Sequence, residues 1–167
     1  AYNSNGLWLA ESKFLASEAA ELVDEGNFSA IKMRLGRENF NDDLEAINTV
    51  RQAVGEQIKL MVDFNQSLTL DEALYRCHRL DEFNLTWIEE PLIYDNFEGY
   101  SRLTTDIKTP IQLGEKFYGP RELYKALQLG ASDLVMPDFM RIGGISGWLK
   151  SAAIAEAAGI PISTHLY

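Results

Sequence analysis

The chain has 167 residues, 46% of them apolar and 24% charged, and its 25 acidic and 15 basic side chains leave a formal charge of -10. This composition indicates a folded domain, and the negative charge argues against binding to nucleic acid or to an anionic membrane surface. No apolar run reaches the roughly 18 residues that a membrane-spanning helix requires. The single cysteine, Cys77, cannot form an internal disulfide, and we expect a soluble, cytoplasmic protein.

Short apolar runs recur along the chain and predict seven strands. They cover residues 1–4, 30–33, 58–62, 86–88, 111–113, 134–136 and 160–164. Amphipathic stretches separate these runs and predict six helices, at about 11–25, 42–54, 69–80, 96–104, 121–129 and 146–158. Strands that alternate with helices are typical of a parallel sheet built from βα units. The sequence therefore predicts an α/β fold, either a barrel or a doubly wound sheet.

The predicted strands reach both ends of the sequence, at Ala1 and close to Tyr167. A complete (β/α)8 barrel has about 250 residues, more than this chain contains. We therefore expect residues 1–167 to be a piece of a longer protein and, if the fold is a barrel, a partial one of about seven strands without the last barrel strand.

Polar side chains follow six successive predicted strands, at the point where each strand ends. They are Lys32, Asp63, Glu89, Glu115, Asp138 and His165, separated by 31, 26, 26, 23 and 27 residues. Each interval has the length of one βα unit. Because parallel strands all point the same way, these side chains should converge on one rim of the sheet, where barrel and open-sheet active sites form.

Three of these residues are carboxylates on adjacent strands. Asp63, Glu89 and Glu115 would repel one another at neutral pH unless a cation neutralises them. Hard oxygen ligands suit magnesium or manganese, and zinc fits less well because no cysteine or second histidine is near. The sequence therefore predicts a Mg²⁺ or Mn²⁺ site. Glu90 should point to the opposite face of its strand and have a structural role.

The other three residues predict proton-transfer chemistry beside that metal. In an eight-stranded barrel Lys32 and His165 would flank the cation from opposite walls, and Asp138 could bond the His165 ring and raise its basicity. A cation that faces a positioned base suits removal of a proton beside a carboxylate, because the resulting enediolate needs concentrated positive charge. We therefore expect His165 to be the general base and Lys32 to stabilise the anion.

Five segments around these residues resemble the motifs of a known family. They are MetValAspPheAsnGlnSer (61–67), TrpIleGluGluPro (87–91), GlyGluLysPheTyrGlyPro (114–120), MetProAspPheMetArgIleGlyGly (136–144) and SerThrHisLeu (163–166). In order and spacing they resemble the enolase superfamily and, within it, the mandelate racemase group, over essentially the whole chain. The resemblance implies a TIM-type barrel, and this superfamily uses a Lys or His base with magnesium on an enediolate.

The resemblance also implies roles for individual residues. Asp63, Glu89 and Glu115 match the magnesium ligands, and Asp138 with His165 matches the catalytic dyad. The muconate-lactonizing branch has a lysine after the sixth strand, so the dyad favours the racemase branch.

Three further positions receive roles in the same way. Lys32 matches the electrostatic lysine, Asn65 would contact a substrate hydroxyl, and Ser4 would contact the substrate carboxylate. The resemblance implies a small hydroxycarboxylate substrate and a homo-oligomer in the full-length protein. The capping domain of the family, which lies N-terminal to the barrel, is not in this chain.

One position departs from the family pattern. The Lys-x-Lys pair, whose second lysine is the base on the opposite face, reads Lys32-Met33-Arg34 here. Arginine stays protonated at ordinary pH, so Arg34 is a poor base and a better carboxylate clamp. Dehydration of a hydroxy acid or an acid sugar needs only one base, because His165 could return its proton to the departing hydroxyl.

Two alternatives to this dehydratase hypothesis stay open. One is a two-base racemase or epimerase of a 2-hydroxy acid, with Arg34 taking part in catalysis. The other is a truncated barrel that keeps the fold without turnover. We expect the tryptophans Trp8, Trp87 and Trp148 to pack in the core and in loops.

Overall fold

A computed structural model describes residues 1–165 of the chain, so Leu166, the last residue of the 163–166 motif, and Tyr167 lie outside the described residues. Six helices and five strands form within residues 1–165 and alternate along the chain. They are α1 (Ser12–Asp24), β1 (Ala30–Arg34), α2 (Phe40–Val54), β2 (Lys59–Asp63), α3 (Leu70–Leu80), β3 (Ile88–Glu89), α4 (Phe97–Asp106), β4 (Ile111–Leu113), α5 (Pro120–Gln128), β5 (Leu134–Val135) and α6 (Gly144–Ala158). All six predicted helices are confirmed, with ends that differ by at most two residues from the prediction.

The five strands form one parallel sheet in the order in which they occur in the chain. A doubly wound sheet would reverse its strand order at one point, whereas consecutive order is the arrangement of a (β/α) barrel. The structure thus decides between the two architectures that the sequence left open.

The first and seventh predicted strands are single bridges rather than strands. Asn3 bridges to Ile31 at one edge of the sheet, and Ile162 bridges to Val135 at the other. Each of these segments has a described sheet neighbour on one side only, and Pro161 has no N–H to donate to a ladder. The prediction of seven strands is therefore corrected to five strands with a parallel bridge at each edge.

The two faces of the sheet bury different side chains. Ile31, Val62 and Ile88 face the helices and belong to the main apolar core. The alternate positions on the same strands face the interior of the barrel. There Ala30, Met61 and Trp87 form a second apolar cluster, packed against Tyr2 and Leu134. Because side chains alternate along a strand, the next interior position towards each carboxyl end carries a charged residue: Lys32, Asp63 and Glu89.

Side-chain caps start three of the helices. Asn39, Thr69 and Asn96 each accept a hydrogen bond from a backbone N–H in the first turn of α2, α3 and α4. Pro120 opens α5, where a missing N–H costs nothing. No helix within residues 1–165 is long and apolar enough to cross a membrane.

Candidate active site

The charged residues at the carboxyl ends of β1, β2 and β3 lie side by side. The parallel register pairs Arg34 with Asp63 and Asp63 with Glu89. Asp63 and Glu89 are almost completely buried, with 1% and 0% of their surface exposed. Two buried carboxylates on neighbouring strands need positive charge close by, because desolvation and mutual repulsion both penalise ionisation.

Lys32 and Arg34 supply that positive charge and define the first cluster of the site. Lys32 Nζ lies 3.2 Å from Asp63 Oδ2 and donates to Glu89 Oε1. Arg34 Nη1 donates to Asp63 Oδ2, and the Arg34 guanidinium carbon lies 5.3 Å from the centre of the Trp8 ring. Sequence reasoning placed Lys32 beside these carboxylates, and the structure does so as well.

Burial and the neighbouring charges together shift the pKa values of Glu89 and Lys32, the two central groups of this cluster. Burial raises the pKa of Glu89 well above its usual range, and the charge of Asp63 adds to this rise, against the effect of Lys32. Burial alone would lower the pKa of Lys32, but the charges of Glu89 and Asp63 outweigh it, so that this pKa is raised. Lys32 therefore stays protonated beside the carboxylates.

The second cluster contains Glu115, Asp138 and His165. The His165 ring lies between the two carboxylates, with Nδ1 3.0 Å from Asp138 Oδ2 and Nε2 3.2 Å from Glu115 Oε2. A parallel bridge between Asp138 and His165 brings the dyad together. The predicted contact between Asp138 and the His165 ring is thus present. Lys116 adds a cation at 3.3 Å from Glu115 Oε1.

These contacts shift the pKa values of all three groups. The hydrogen bond with Glu115 is the largest cause of the raised pKa of His165, burial opposes it, and the bond with Asp138 adds to it. Burial would raise the pKa of Glu115, but the hydrogen bond and charge of His165, helped by Lys116, lower it to about 2. For Asp138 burial is likewise outweighed, by the hydrogen bonds from His165 and from backbone N–H groups, so its pKa is lowered.

Tight turns after the strands hold two of these carboxylates. Asp63 Oδ1 accepts from the Asn65 N–H at 2.7 Å, and Asn65 is left-handed, with φ of 47°. Asp138 Oδ1 accepts from the N–H groups of Met140 and Arg141 at 2.9 Å. Arg141 Nη1 then reaches the Glu115 carbonyl oxygen at 3.0 Å, which links the turn that follows β5 to the one that follows β4.

A cavity of about 560 Å³ opens above the first cluster. Ser4, Lys32, Arg34 and His165 all line it, so it brings together four of the predicted site residues. Asn65 instead lines a neighbouring cavity of about 320 Å³, which Arg34 also borders. The described arrangement therefore places Asn65 next to the main cavity and not within it.

The three carboxylates that sequence reasoning assigned to a metal are buried at adjacent strand ends, but they do not face one point. Asp63 and Glu89 share Lys32, whereas the Glu115 carboxylate faces His165 and Lys116. Within residues 1–165 no three carboxylate, imidazole or thiol groups are arranged to hold a single metal ion. The donor chemistry fits a hard divalent cation, because these buried acidic oxygens already pair with Lys32, Arg34 and Lys116. Binding would require Glu115 to turn away from His165.

Sequence reasoning missed several residues that contact the site. Trp87, expected to serve only in packing, donates from Nε1 to Glu89 Oε2 at 3.2 Å. Lys116 and Arg141 both contact Glu115, and the regular spacing of polar residues after the strands did not include either of them. Glu90, for which a structural role was expected, is buried; its φ of 37° ends the strand, and its carboxylate accepts from Gln66 at 2.5 Å. The repeated ionisable residues at strand ends could have indicated Lys116, which adjoins Glu115 of that series.

Residues 15–167 match the sequence profile of a family described as enolase C-terminal domain-like. Among curated proteins, the chain is 34% identical over 164 residues to the L-talarate/galactarate dehydratase of Salmonella typhimurium, covering 98% of this chain and 41% of that protein. Other relatives include a D-galactarolactone cycloisomerase from Agrobacterium fabrum (35%; 91% of this chain, 40% of that protein) and an L-Ala-D/L-Glu epimerase from Bacillus subtilis (31%; 87% and 40%). The relatives are thus dehydratases, cycloisomerases and epimerases.

Solved structures of enolases also match this chain over essentially its whole length. An enolase from alpha proteobacterium bal199 with bound magnesium is 56% identical, with a TM-score of 0.98. The match covers 100% of this chain and 47% of the enolase chain. An enolase from Bradyrhizobium, complexed with magnesium and mandelic acid, is 41% identical, with a TM-score of 0.93 and coverage of 99% and 45%. The chain spans less than half the length of these proteins.

Proposed function

This chain belongs to the enolase C-terminal domain-like family, of the mandelate racemase type, and from that membership we propose that the full-length protein is a magnesium-dependent dehydratase of a hydroxycarboxylic acid. The substrate is a hydroxy acid or an acid sugar that loses its α-proton and then a hydroxyl group. Residues 1–167 supply the catalytic barrel domain.

The observation that carries this proposal is the contact of His165 Nδ1 with Asp138 Oδ2 at 3.0 Å. Asp138 holds the ring in one orientation, so Nε2 is the nitrogen that receives the α-proton. Nε2 now contacts Glu115 Oε2, and it acts as a base in the neutral form of the ring. His165 lines the same cavity as Lys32, which supports their action on one bound substrate.

Lys32 supplies positive charge for this reaction, and the buried carboxylates would hold a metal cation that supplies more. Magnesium, or manganese, held by Asp63, Glu89 and Glu115 would neutralise negative charge that develops on the substrate carboxylate as the α-proton leaves. Lys32 stays protonated and contributes a fixed positive charge beside that group. The known magnesium complexes of similar chains support this assignment.

Arg34 favours the dehydratase over the racemase. A racemase needs a second base opposite His165, but arginine is a poor base, and Arg34 is paired with Asp63. In the dehydratase, the substrate carries a hydroxyl on both Cα and Cβ. The α-proton moves to His165 Nε2, and a double bond forms between Cα and Cβ as the C–O bond at Cβ breaks. His165 returns the proton to the departing hydroxyl, which leaves as water, and the enol rearranges to a 2-keto acid. The epimerase among the relatives favours a racemase as the second candidate.

Proton NMR in deuterated water tests the proposal on the full-length protein with magnesium and both enantiomers of candidate hydroxy acids. We expect one enantiomer to exchange its α-proton or to lose water to a 2-keto acid. His165→Asn should abolish both reactions, because no base remains. His78→Asn changes the only other histidine of this chain, which is exposed on α3, and should leave the rate unchanged.

Two outcomes would contradict the proposal. Exchange of both enantiomers at similar rates that survives in His165→Asn would reveal a second base and favour the racemase. If every candidate acid stays unchanged while the protein binds magnesium, the non-catalytic barrel is favoured.

A further inference from the structure

Trp87 lies directly before β3, two positions ahead of Glu89, and both side chains face the interior of the sheet. The indole Nε1–H donates to Glu89 Oε2 at 3.2 Å. Both groups are shielded from water, with 9% of Trp87 and 0% of Glu89 exposed. When the carboxylate is ionised, as it is when it binds a cation, such a hydrogen bond is charge-assisted and stronger than one between neutral groups.

Packing holds the indole ring in place. Tyr2 meets Trp87 edge to face, with ring centres 5.3 Å apart and planes at 81°. Ala30 and Met61 belong to the same interior cluster. Because a tryptophan side chain has only two rotatable bonds, a ring packed in this way also fixes the direction of its N–H. The orientation of Glu89 is therefore tied to the apolar interior below the site.

The charge of the donor separates Trp87 from the other groups on these carboxylates. Lys32 contacts Glu89 and Asp63, and Arg34 contacts Asp63. Both are cations, and they compete with any metal ion for carboxylate oxygens. The indole N–H is neutral, so it holds Oε2 without repelling a cation. The other oxygen, Oε1, which Lys32 now contacts, can therefore bind a positively charged group.

We propose that Trp87 is a positioning residue that orients the Glu89 carboxylate for a divalent cation. This inference rests on the proposed function, because it takes Glu89 as a cation ligand. Trp87 borders the same cavity as Lys32 and His165, but in this role it acts through Glu89. Partners that orient metal ligands commonly change metal affinity by 10- to 100-fold when they are removed.

Isothermal titration of the full-length protein with MgCl2 tests this role. Trp87→Phe keeps an aromatic ring in the cluster but removes the N–H, and we expect the Kd for Mg²⁺ to rise about 10-fold. Trp148→Phe is the matched control, because the buried Trp148 Nε1 has no hydrogen-bond partner within the described residues. Its Kd should equal that of the wild type. A purely structural role for Trp87 would lower thermal stability without changing the Kd.

A second measurement covers the case in which Trp87→Phe does not fold. Incorporation of 3-benzothienylalanine at position 87 replaces the N–H by sulfur and keeps the shape of the ring, so the same rise in Kd is expected. In the wild type, the ¹⁵N-indole NMR signal of Trp87 should shift during the Mg²⁺ titration, and that of Trp148 should not.

The outcomes distinguish this inference from the proposed function. If the wild type binds Mg²⁺ and both position-87 variants bind it equally well, the positioning role is wrong and the proposed function stands. If the wild type does not bind Mg²⁺ at all, the proposed function is overturned, and this inference with it.

Discussion

At the scale of single residues, His165 is held by two carboxylates at once. Its bond with Glu115 is the main cause of its raised pKa, with Asp138 adding to the rise against the effect of burial. A histidine whose pKa is raised by folding stabilises the folded state most in its protonated form. That stabilisation is complete below the pKa of an unfolded histidine, about 6.5, and is lost as the pH rises through the raised value.

Asp138→Asn should lower the pKa of His165, because an amide cannot stabilise the charged ring as a carboxylate does. The measurement is an NMR pH titration of the His165 ring in the metal-free full-length protein. The stabilisation described above should then be lost at a lower pH than in the wild type. Asp24→Asn, which changes an exposed carboxyl at the end of α1, should leave the His165 titration unchanged. An unaltered His165 pKa in Asp138→Asn would mean that Glu115 alone determines it.

At the scale of elements, a buried carboxylate on α2 ties the turn after β1 to α3. Asp43 is fully buried and accepts from the N–H groups of Gly36 and Arg37, at 3.0 and 3.2 Å. It also pairs with the guanidinium groups of Arg37 and Arg76, at 3.0 and 3.1 Å. Gly36 has a φ of 114°, which only glycine adopts readily. This network fixes the turn that directly follows Arg34 of the site.

Asp43→Ala should reduce the free energy of unfolding by about 3 kcal/mol or more, because it removes the carboxylate that Arg37 and Arg76 share and leaves the N–H of Gly36 without its acceptor. Asp42→Ala is the matched control on the same helical turn. Asp42 is exposed and accepts only from Asn39 Nδ2 among the contacts described, so its loss should cost less than about 1 kcal/mol. Urea denaturation of the full-length protein, followed by tryptophan fluorescence, measures both. Equal effects of the two variants would show that the network adds no stability beyond an ordinary helix terminus.

At the scale of the whole molecule, the sheet has two sparsely paired edges. The segment around Asn3 forms one bridge, with Ile31, and the segment that contains Ile162 and His165 forms two, with Val135 and Asp138. Exposed strand edges pair readily with other chains. We therefore expect residues 1–167, expressed alone, to self-associate, and sedimentation velocity at several concentrations measures this. A monomer that unfolds in a single cooperative step would contradict the expectation.

The thiol of Cys77 shows whether that isolated chain is folded. Cys77 is the only cysteine of the sequence and is fully buried, and burial raises the pKa of its thiol. The self-associated chain should react slowly with a thiol reagent if α3 is packed, and rapidly in urea. Rapid reaction without urea would mean that the association is that of an unfolded chain.

The sequence by itself determined the helices, the interior strands and the rim at which the polar residues after the strands lie. Apolar periodicity and turn residues depend on neighbours a few positions apart, so the six helices and the interior strands could be predicted. The interval of one βα unit between Lys32, Asp63, Glu89, Glu115, Asp138 and His165 placed all six at one rim, because parallel strands share one direction. The motifs around them were enough to indicate the family.

Only the tertiary structure decided how these side chains pair. Glu115 bonds to His165, Trp87 bonds to Glu89, and the two outer segments are bridges rather than strands. Such contacts depend on side-chain rotation and on distances between elements far apart in the chain, which periodicity does not encode. Buried carboxylates take whichever positive or polar hydrogen-bond donor the packing brings within reach, because an unpaired buried charge is very costly. Which donor that is depends on the packed arrangement of the strands, and so it could be read only from the folded molecule.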